Sequence, residues 1–171
     1  MSQKGQLADA EVYLRRAMEI YRNGGVRHGE ANVLLSMGGL AEQRNLFDEA
    51  QEAYTQAAAI YEEVGDKVGL ATAFNGLGAL ALDKGDVRRA RDHVARSLTA
   101  AREVSAREGE AFALGLSGEI AEFDGARSEA IDFYRDAVMI YDQIGMPTLA
   151  KPLREKLKRL GAKPHPEAPE N

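Results

Sequence analysis

Side chains able to do chemistry are few in this chain, and their spacing does not serve a reaction. The three histidines are His28, His93 and His165, and none stands in an H-x-x-x-H or H-E-x-x-H pattern that would set two imidazoles on one helix face for a metal. Adjacent carboxylates such as Glu62 and Glu63 recur along polar stretches in the way solvated helix faces do. Gly24-Gly25 and Gly38-Gly39 lack the preceding strand and the following lysine with serine or threonine that let backbone N–H groups cradle a phosphate. There is no cysteine, which removes disulfides, thiolate ligands and cysteine nucleophiles and is compatible with a reducing compartment. The reading is of a protein that is not an enzyme and uses no metal and no cofactor.

Composition narrows the partners. The net charge of -5, with 29% charged residues, argues against a nucleic-acid or anionic-membrane binder, whose footprint would be basic. The opening MSQKGQLADAEVYL has no continuous apolar core like that of a signal peptide, and no apolar run approaches the roughly 20 residues of a membrane span. A cytoplasmic address is the expectation.

The elements that must position whatever does function repeat at a constant spacing. Ala10, Ala50, Ala90 and Ala130 lie forty apart, as do Tyr21, Tyr61, Ala101 and Tyr141, and Gly25, Gly65, Ser105 and Gly145. In the other half of the unit Ala31, Ala71 and Ala111 match, then Leu34, Phe74 and Leu114, then Gly38, Gly78 and Gly118. A fixed period in the range of about 20 to 50 residues marks a solenoid, because each unit buries its apolar face only against a neighbour. Within each half the apolar residues fall three and four apart, the spacing of one helix face. The expected architecture is all-α, a right-handed solenoid of about eight antiparallel helices. It comprises a lone second-type helix over 7–22, repeats over 27–64, 67–104 and 107–144, a capping helix over 147–160 and a disordered tail over 161–171.

Local signals punctuate the units. Gly65-Asp66 and Gly85-Asp86 each read as a helix C-cap followed by an N-cap, and Ser105 with Glu108 reads as a capping box. Pro147 suits a first helical turn, whereas Pro152 predicts a kink or a late start in the last helix. Leu149, Leu153, Leu157 and Leu160 form one apolar stripe there, with Lys151, Arg154, Lys156, Lys158 and Arg159 covering the rest, as a solenoid end requires. Gly38, Gly78 and Gly118 sit inside helices although each costs about 1 kcal/mol relative to alanine. They are expected to allow close approach to Ala50, Ala90 and Ala130.

These residues resemble the tetratricopeptide repeat family, whose first helix carries a bulky residue and then a Leu-Gly pair, and whose second carries Ala, an aromatic and Ala. Leu34, Met37 and Gly38 with Ala50, Tyr54 and Ala57 make one unit; Phe74, Leu77 and Gly78 with Ala90, Val94 and Ser97 the next; Leu114, Ser117 and Gly118 with Ala130, Tyr134 and Ala137 the third. The family's aromatic three residues after the glycine is Ala41, Ala81 and Ala121 here, and its thirty-four-residue unit is lengthened to forty. The longer form is similar to arrays in large bacterial signalling regulators and in scaffold proteins that bind extended peptides. The fold alone does not name a function.

What the resemblance implies is a concave groove lined by Asn32, Leu35, Glu42 and Gln43, then Thr72, Asn75, Leu82 and Asp83, then Phe112, Glu119, Glu122 and Phe123. These positions vary between copies while the packing positions repeat. With carboxylates and no lysine or arginine among them, the groove is expected to prefer an apolar or basic protein or extended peptide over an acidic one. Asn75 is expected to hydrogen-bond a peptide backbone. The alternative is assembly: the helix over 7–22 lacks the helix that precedes its counterparts, so Leu14, Met18 and Tyr21 are expected to lie open as a homo-oligomer interface. A start inside a repeat also suggests a piece of a larger signalling regulator.

Overall fold

A computed structural model describes residues 3–162. Among the described residues there are eight helices and no strand: α1 (Gln3–Asn23), α2 (Arg27–Gln43), α3 (Phe47–Val64), α4 (Lys67–Asp83), α5 (Val87–Glu103), α6 (Arg107–Phe123), α7 (Arg127–Gln143) and α8 (Pro147–Arg159). The helix ends expected from spacing and breakers are met within a residue or two, except that α1 starts earlier, at Gln3. The tail expected to be disordered lies, from residue 163 onward, outside the described residues. Gly161, at φ 63, and Ala162, whose N–H reaches the Leu157 carbonyl at 3.0 Å, belong to the cap of α8.

One turn closes almost every helix, and it returns every twenty residues. Gly25, Asn45, Gly65, Gly85, Ser105, Gly125 and Gly145 all have positive φ, between 54 and 75 degrees. After each, the next N–H returns to the carbonyl five residues back, as in Leu46 to Ala41 and Ala106 to Ala101, satisfying a carbonyl the helix leaves unpaired. This corrects the capping box at Ser105. The left-handed position claims that residue, Ala106 becomes the N-cap of α6, and no side chain caps the helix. Asp66 and Asp86 do cap as expected, accepting from the N–H groups of Gly69 at 2.9 Å and Arg89 at 3.0 Å.

Each helix packs on the next, and in addition α2 touches α4 and α4 touches α6, whereas α1, α3, α5 and α7 make no comparable contact with one another. The even helices therefore line the inner, tighter side of the stack and the odd helices the outer side. Buried Ala31, Ala50, Ala57, Ala71, Ala90, Ala111, Ala130 and Ala137, none more than 1% exposed, bring the helices close, and Tyr61, Tyr134 and Leu80 fill the spaces left. Gly38 and Gly118 face tyrosine rings and Gly78 faces a valine, contrary to the alanine contact expected for them. A Cβ on Gly38 would lie 2.4 Å from Cε1 of Tyr54, and one on Gly118 2.4 Å from Cε1 of Tyr134. On Gly78 it would lie 2.9 Å from Cγ2 of Val94. α8 runs unbroken from Pro147 through Pro152, without the late start expected; Pro152 is exposed, so the carbonyl that loses its N–H partner lies on the wet side of the helix.

Candidate protein-binding groove

The inner helices present positions separated by seven and eleven residues on one stripe, because at about 3.6 residues per turn these return to nearly the same angle. On α6 that stripe holds Phe112, Glu119 and Phe123. Phe112 is 46% exposed and Phe123 65%, large for rings in a helix whose other apolar residues are mostly buried. Asn32, Gln43, Thr72 and Asp83 are exposed on α2 and α4, and Glu42, Leu35, Leu82, Glu119 and Glu122 are half-buried. Thr72 Oγ1 donates to its own helix, at the Val68 carbonyl 2.9 Å away.

Two of the expected groove residues do other work. Asn75 is only 5% exposed and its Nδ2 donates to the Gly109 carbonyl at 3.1 Å, so it ties α4 to α6 and does not face the groove. Leu35 is half-buried and packs against the core. Asn32, by contrast, sits in a one-way network. The Tyr61 hydroxyl donates to Asn32 Oδ1 at 2.7 Å, Asn32 Nδ2 meets His28 Nδ1 at 3.2 Å, and His28 Nε2 meets Asp66 Oδ2 at 2.8 Å. A neutral His28 protonated at Nε2 satisfies every partner in that chain. Burial alone would raise the Asp66 pKa, but the Gly69 N–H and His28 outweigh it and hold the carboxyl below its usual value.

The groove also contains cations that the three repeats do not carry. α8 stands where a fourth inner helix would, and its Lys156 reaches Glu119 at 2.6 Å while Arg159 reaches Glu122 at 2.5 Å. Glu122 further accepts from the Tyr134 hydroxyl at 2.6 Å, and Glu42 accepts from Tyr54 in the same way. Burial, then the carboxylate bond, push the Tyr54 and Tyr134 pKa values far upward. The acidic character expected of the groove is thus largely spent within the chain, leaving Asp83 as its exposed carboxylate with no cation beside it. The signal was present in the sequence, since Lys156 and Arg159 lie forty residues after Leu116 and Glu119.

The first helix departs from expectation too. Met18 is buried at 7% and Leu14 is half-buried against the core, so these two serve the fit of α1 on α2, whereas Tyr21 lies over Gly29 and remains 36% exposed. The most open apolar residues of α1 are Val12, Tyr13 and Ile20, at 66%, 73% and 62% exposed. Ile20 is open although Ile60 and Ile140 at the same repeat position are buried, since among the described residues no inner helix packs on that side of α1. His28 lies in the first turn of α2, and His93 stacks on Phe74 with ring centres 6.0 Å apart. Among the described residues no three metal-ligating side chains gather, and no helix is long and apolar enough to cross a membrane.

A stack of antiparallel helix pairs with an inner face left free of packing defines a helical-repeat interaction scaffold. The sequence profile of the tetratricopeptide repeat matches residues 2–63 and 69–143, and the chain belongs to that family. Such repeats generally mediate protein–protein interaction, and the family is typically non-catalytic. No curated protein matches the chain in sequence. Among solved structures it is similar to BtubC (BKLC) from P. vanneervenii, with a TM-score of 0.68 at 16% identity over 99% of this chain and 80% of that one. At that identity the likeness speaks for the fold.

Proposed function

We infer that the inner groove binds an extended protein segment carrying apolar side chains, and that this binding, without chemistry of its own, is what the chain does. The observation that carries this is the pair Phe112 and Phe123, exposed on one stripe of an inner helix about 16 Å apart along its axis. Aromatic rings are among the residue types that supply most of the energy in protein interfaces, and these two stand near the two ends of α6 on its groove stripe. Gln43 and Asp83, exposed at the ends of α2 and α4, add polar groups for a backbone or a basic side chain. With Glu119 and Glu122 paired to α8, the groove favours an apolar ligand first and a basic one second.

The test is selection of peptides from a random library on the intact chain, followed by titration against Phe112→Ala/Phe123→Ala. Loss of about 1 to 3 kcal/mol per ring, with unchanged melting, is the expected result. Selected peptides that bind the double variant at full strength would overturn the groove. A second reading, assembly through α1, has its own observation in the open Val12, Tyr13 and Ile20.

A further inference from the structure

Between α1 and α3, on the outer side, lies a cavity of about 240 Å³ over Leu34, Met37, Leu40 and Ala53. Its floor is less covered than the same place in the later repeats. Met37 and Leu40 are half-buried, whereas Leu77, Leu80 and Ile120 at their repeat positions are buried. A change of one side chain goes with this: Ala53 stands where the second repeat has His93 and the third has Phe133. His93 stacks on Phe74 with ring centres 6.0 Å apart, and Phe133 packs against the core that contains Leu114; Phe74 and Leu114 are the counterparts of Leu34. The first repeat is therefore short of one aromatic ring, and the other two show that a ring fits at this position of the fold.

The rim of the cavity is acidic on balance, with Glu11, Glu49 and Glu52 against one cation, Arg44. Arg44 donates to Glu11 Oε2 at 2.7 Å and Arg15 to Glu11 Oε1 at 2.5 Å, so Glu11 and Arg44 satisfy each other. Glu49 and Glu52 are exposed, and neither forms an ion pair with a described residue; Glu52 accepts from Gln56 at 3.0 Å. Glu49 lies one turn before Ala53 on the same face of α3, and Glu52 directly precedes Ala53, so both carboxylates stand beside the place where the ring is missing. We propose that this cavity is a binding site for a small aromatic cation of the arylalkylamine class. Its ring takes the place over Leu34, Met37 and Leu40 that His93 and Phe133 take in the later repeats, and its ammonium group meets Glu49 and Glu52. The space is small for a ligand site and suits one ring with a short chain, apolar below and charged at the mouth. The proposal goes beyond protein binding in the groove and is independent of it.

Titration of the intact chain with phenethylamine, read at the Met37 and Ala53 methyl groups by nuclear magnetic resonance, tests it. Saturable shifts at both methyls are expected. The neutral 2-phenylethanol should bind about threefold or more weakly, which is what one or two exposed charge pairs contribute, and phenylpropionate more weakly still. Ala53→Phe, which supplies the ring from within as the third repeat does, should abolish the shift at Met37 while helicity is kept. Glu49→Gln/Glu52→Gln, a change confined to exposed side chains, should bring amine and alcohol to equal affinity. Phe112→Ala/Phe123→Ala should leave amine binding as it is, because the groove lies on the other side of the stack. Absence of saturation at Met37 overturns the proposal. Equal affinity of the parent chain for amine and alcohol overturns it too, as does undiminished amine binding by a folded Ala53→Phe chain.

Discussion

The first and third repeats differ from the middle one in how they fill the same space. In α2–α3, Tyr54 lies between Gly38 and Gly76, where an added Cβ would come within 2.4 Å and 2.8 Å of its ring, and its hydroxyl goes to Glu42. In α6–α7, Tyr134 lies over Gly118 with its hydroxyl on Glu122 and Lys156 5.4 Å from its ring centre. In α4–α5 Val94 takes the place of the ring, Leu82 the place of the acceptor, and Leu116 from the following inner helix comes to 3.5 Å from where a Cβ of Gly78 would be. Ring, acceptor and the residue contributed by the next repeat change together. Read position by position, the middle repeat looks like a decayed copy; read as a set, it refills with Leu116 the space a ring would take and, with Leu82 in place of the glutamate, leaves no carboxylate there in need of a hydroxyl.

The sharpest way to break that comparison is to add one methyl group to each glycine. Gly118→Ala drives its Cβ against the Tyr134 ring and should cost about 3 kcal/mol in urea unfolding, because a ring held on several sides cannot yield. Gly78→Ala crowds one valine methyl, at 2.9 Å, with Leu116 at ordinary contact distance, and regains about 1 kcal/mol of helix propensity, so its net cost should be about 0 to 1 kcal/mol. Equal costs would show that the two kinds of repeat are packed alike. Gly78→Leu should still cost roughly 2 to 4 kcal/mol, since Leu116 leaves no room for the longer side chain.

Converting one kind into the other is the next test. Val94→Tyr alone should destabilise by about 2 kcal/mol, whereas Val94→Tyr with Leu116→Gly and Leu82→Glu should recover at least half of that, read as a non-additive cycle. Additive costs would mean that the three positions are not one set.

Smaller effects follow from ionisation. Burial, assisted by Asp66 for Tyr61 and by Glu108 for Tyr141, raises both hydroxyls to about 12. Unfolded tyrosine ionises near 10. The contribution is therefore complete below about pH 10 and is lost as pH rises toward about 12. Melting temperature should fall across that window, and less steeply in Tyr61→Phe; residues 67–104, which contain no tyrosine, contribute none of it. The smallest effect belongs to the middle repeat. Burial lowers the His93 pKa, so the unfolded chain takes up the proton first and stability declines as pH falls below about 6.5. In His93→Phe that acid slope should be reduced, with a midpoint at neutral pH equal to or above that of the parent.

The helices, their ends and the all-α stack were legible because a forty-residue period multiplies every local signal several times. Side-chain direction was less legible. Asn75 shares its repeat position with Leu35 and Gly115, and nothing in that series says that an amide there turns to the Gly109 carbonyl of the next repeat. Met18 was misread for a related reason: the side of α1 that no described helix covers is open, and Met18 is on the other side, where its repeat counterpart Ala58 also is buried. The cations facing Glu119 and Glu122 were missed because α8 was treated as a lid and not as a fourth inner helix in register with the others.

The contacts between helices run only to the next helix and the next but one. No strand pairing or long loop closure joins distant parts of the chain among the described residues, so the entropy of closing loops is met one hairpin at a time. A chain of this kind has low contact order and can begin folding at any hairpin, and its barrier reflects the first two or three helices that assemble more than the total length. Opening starts from whichever end has fewer neighbours, so amide protection should be graded along the chain, lowest in α1 and α8 and highest in the helices between them.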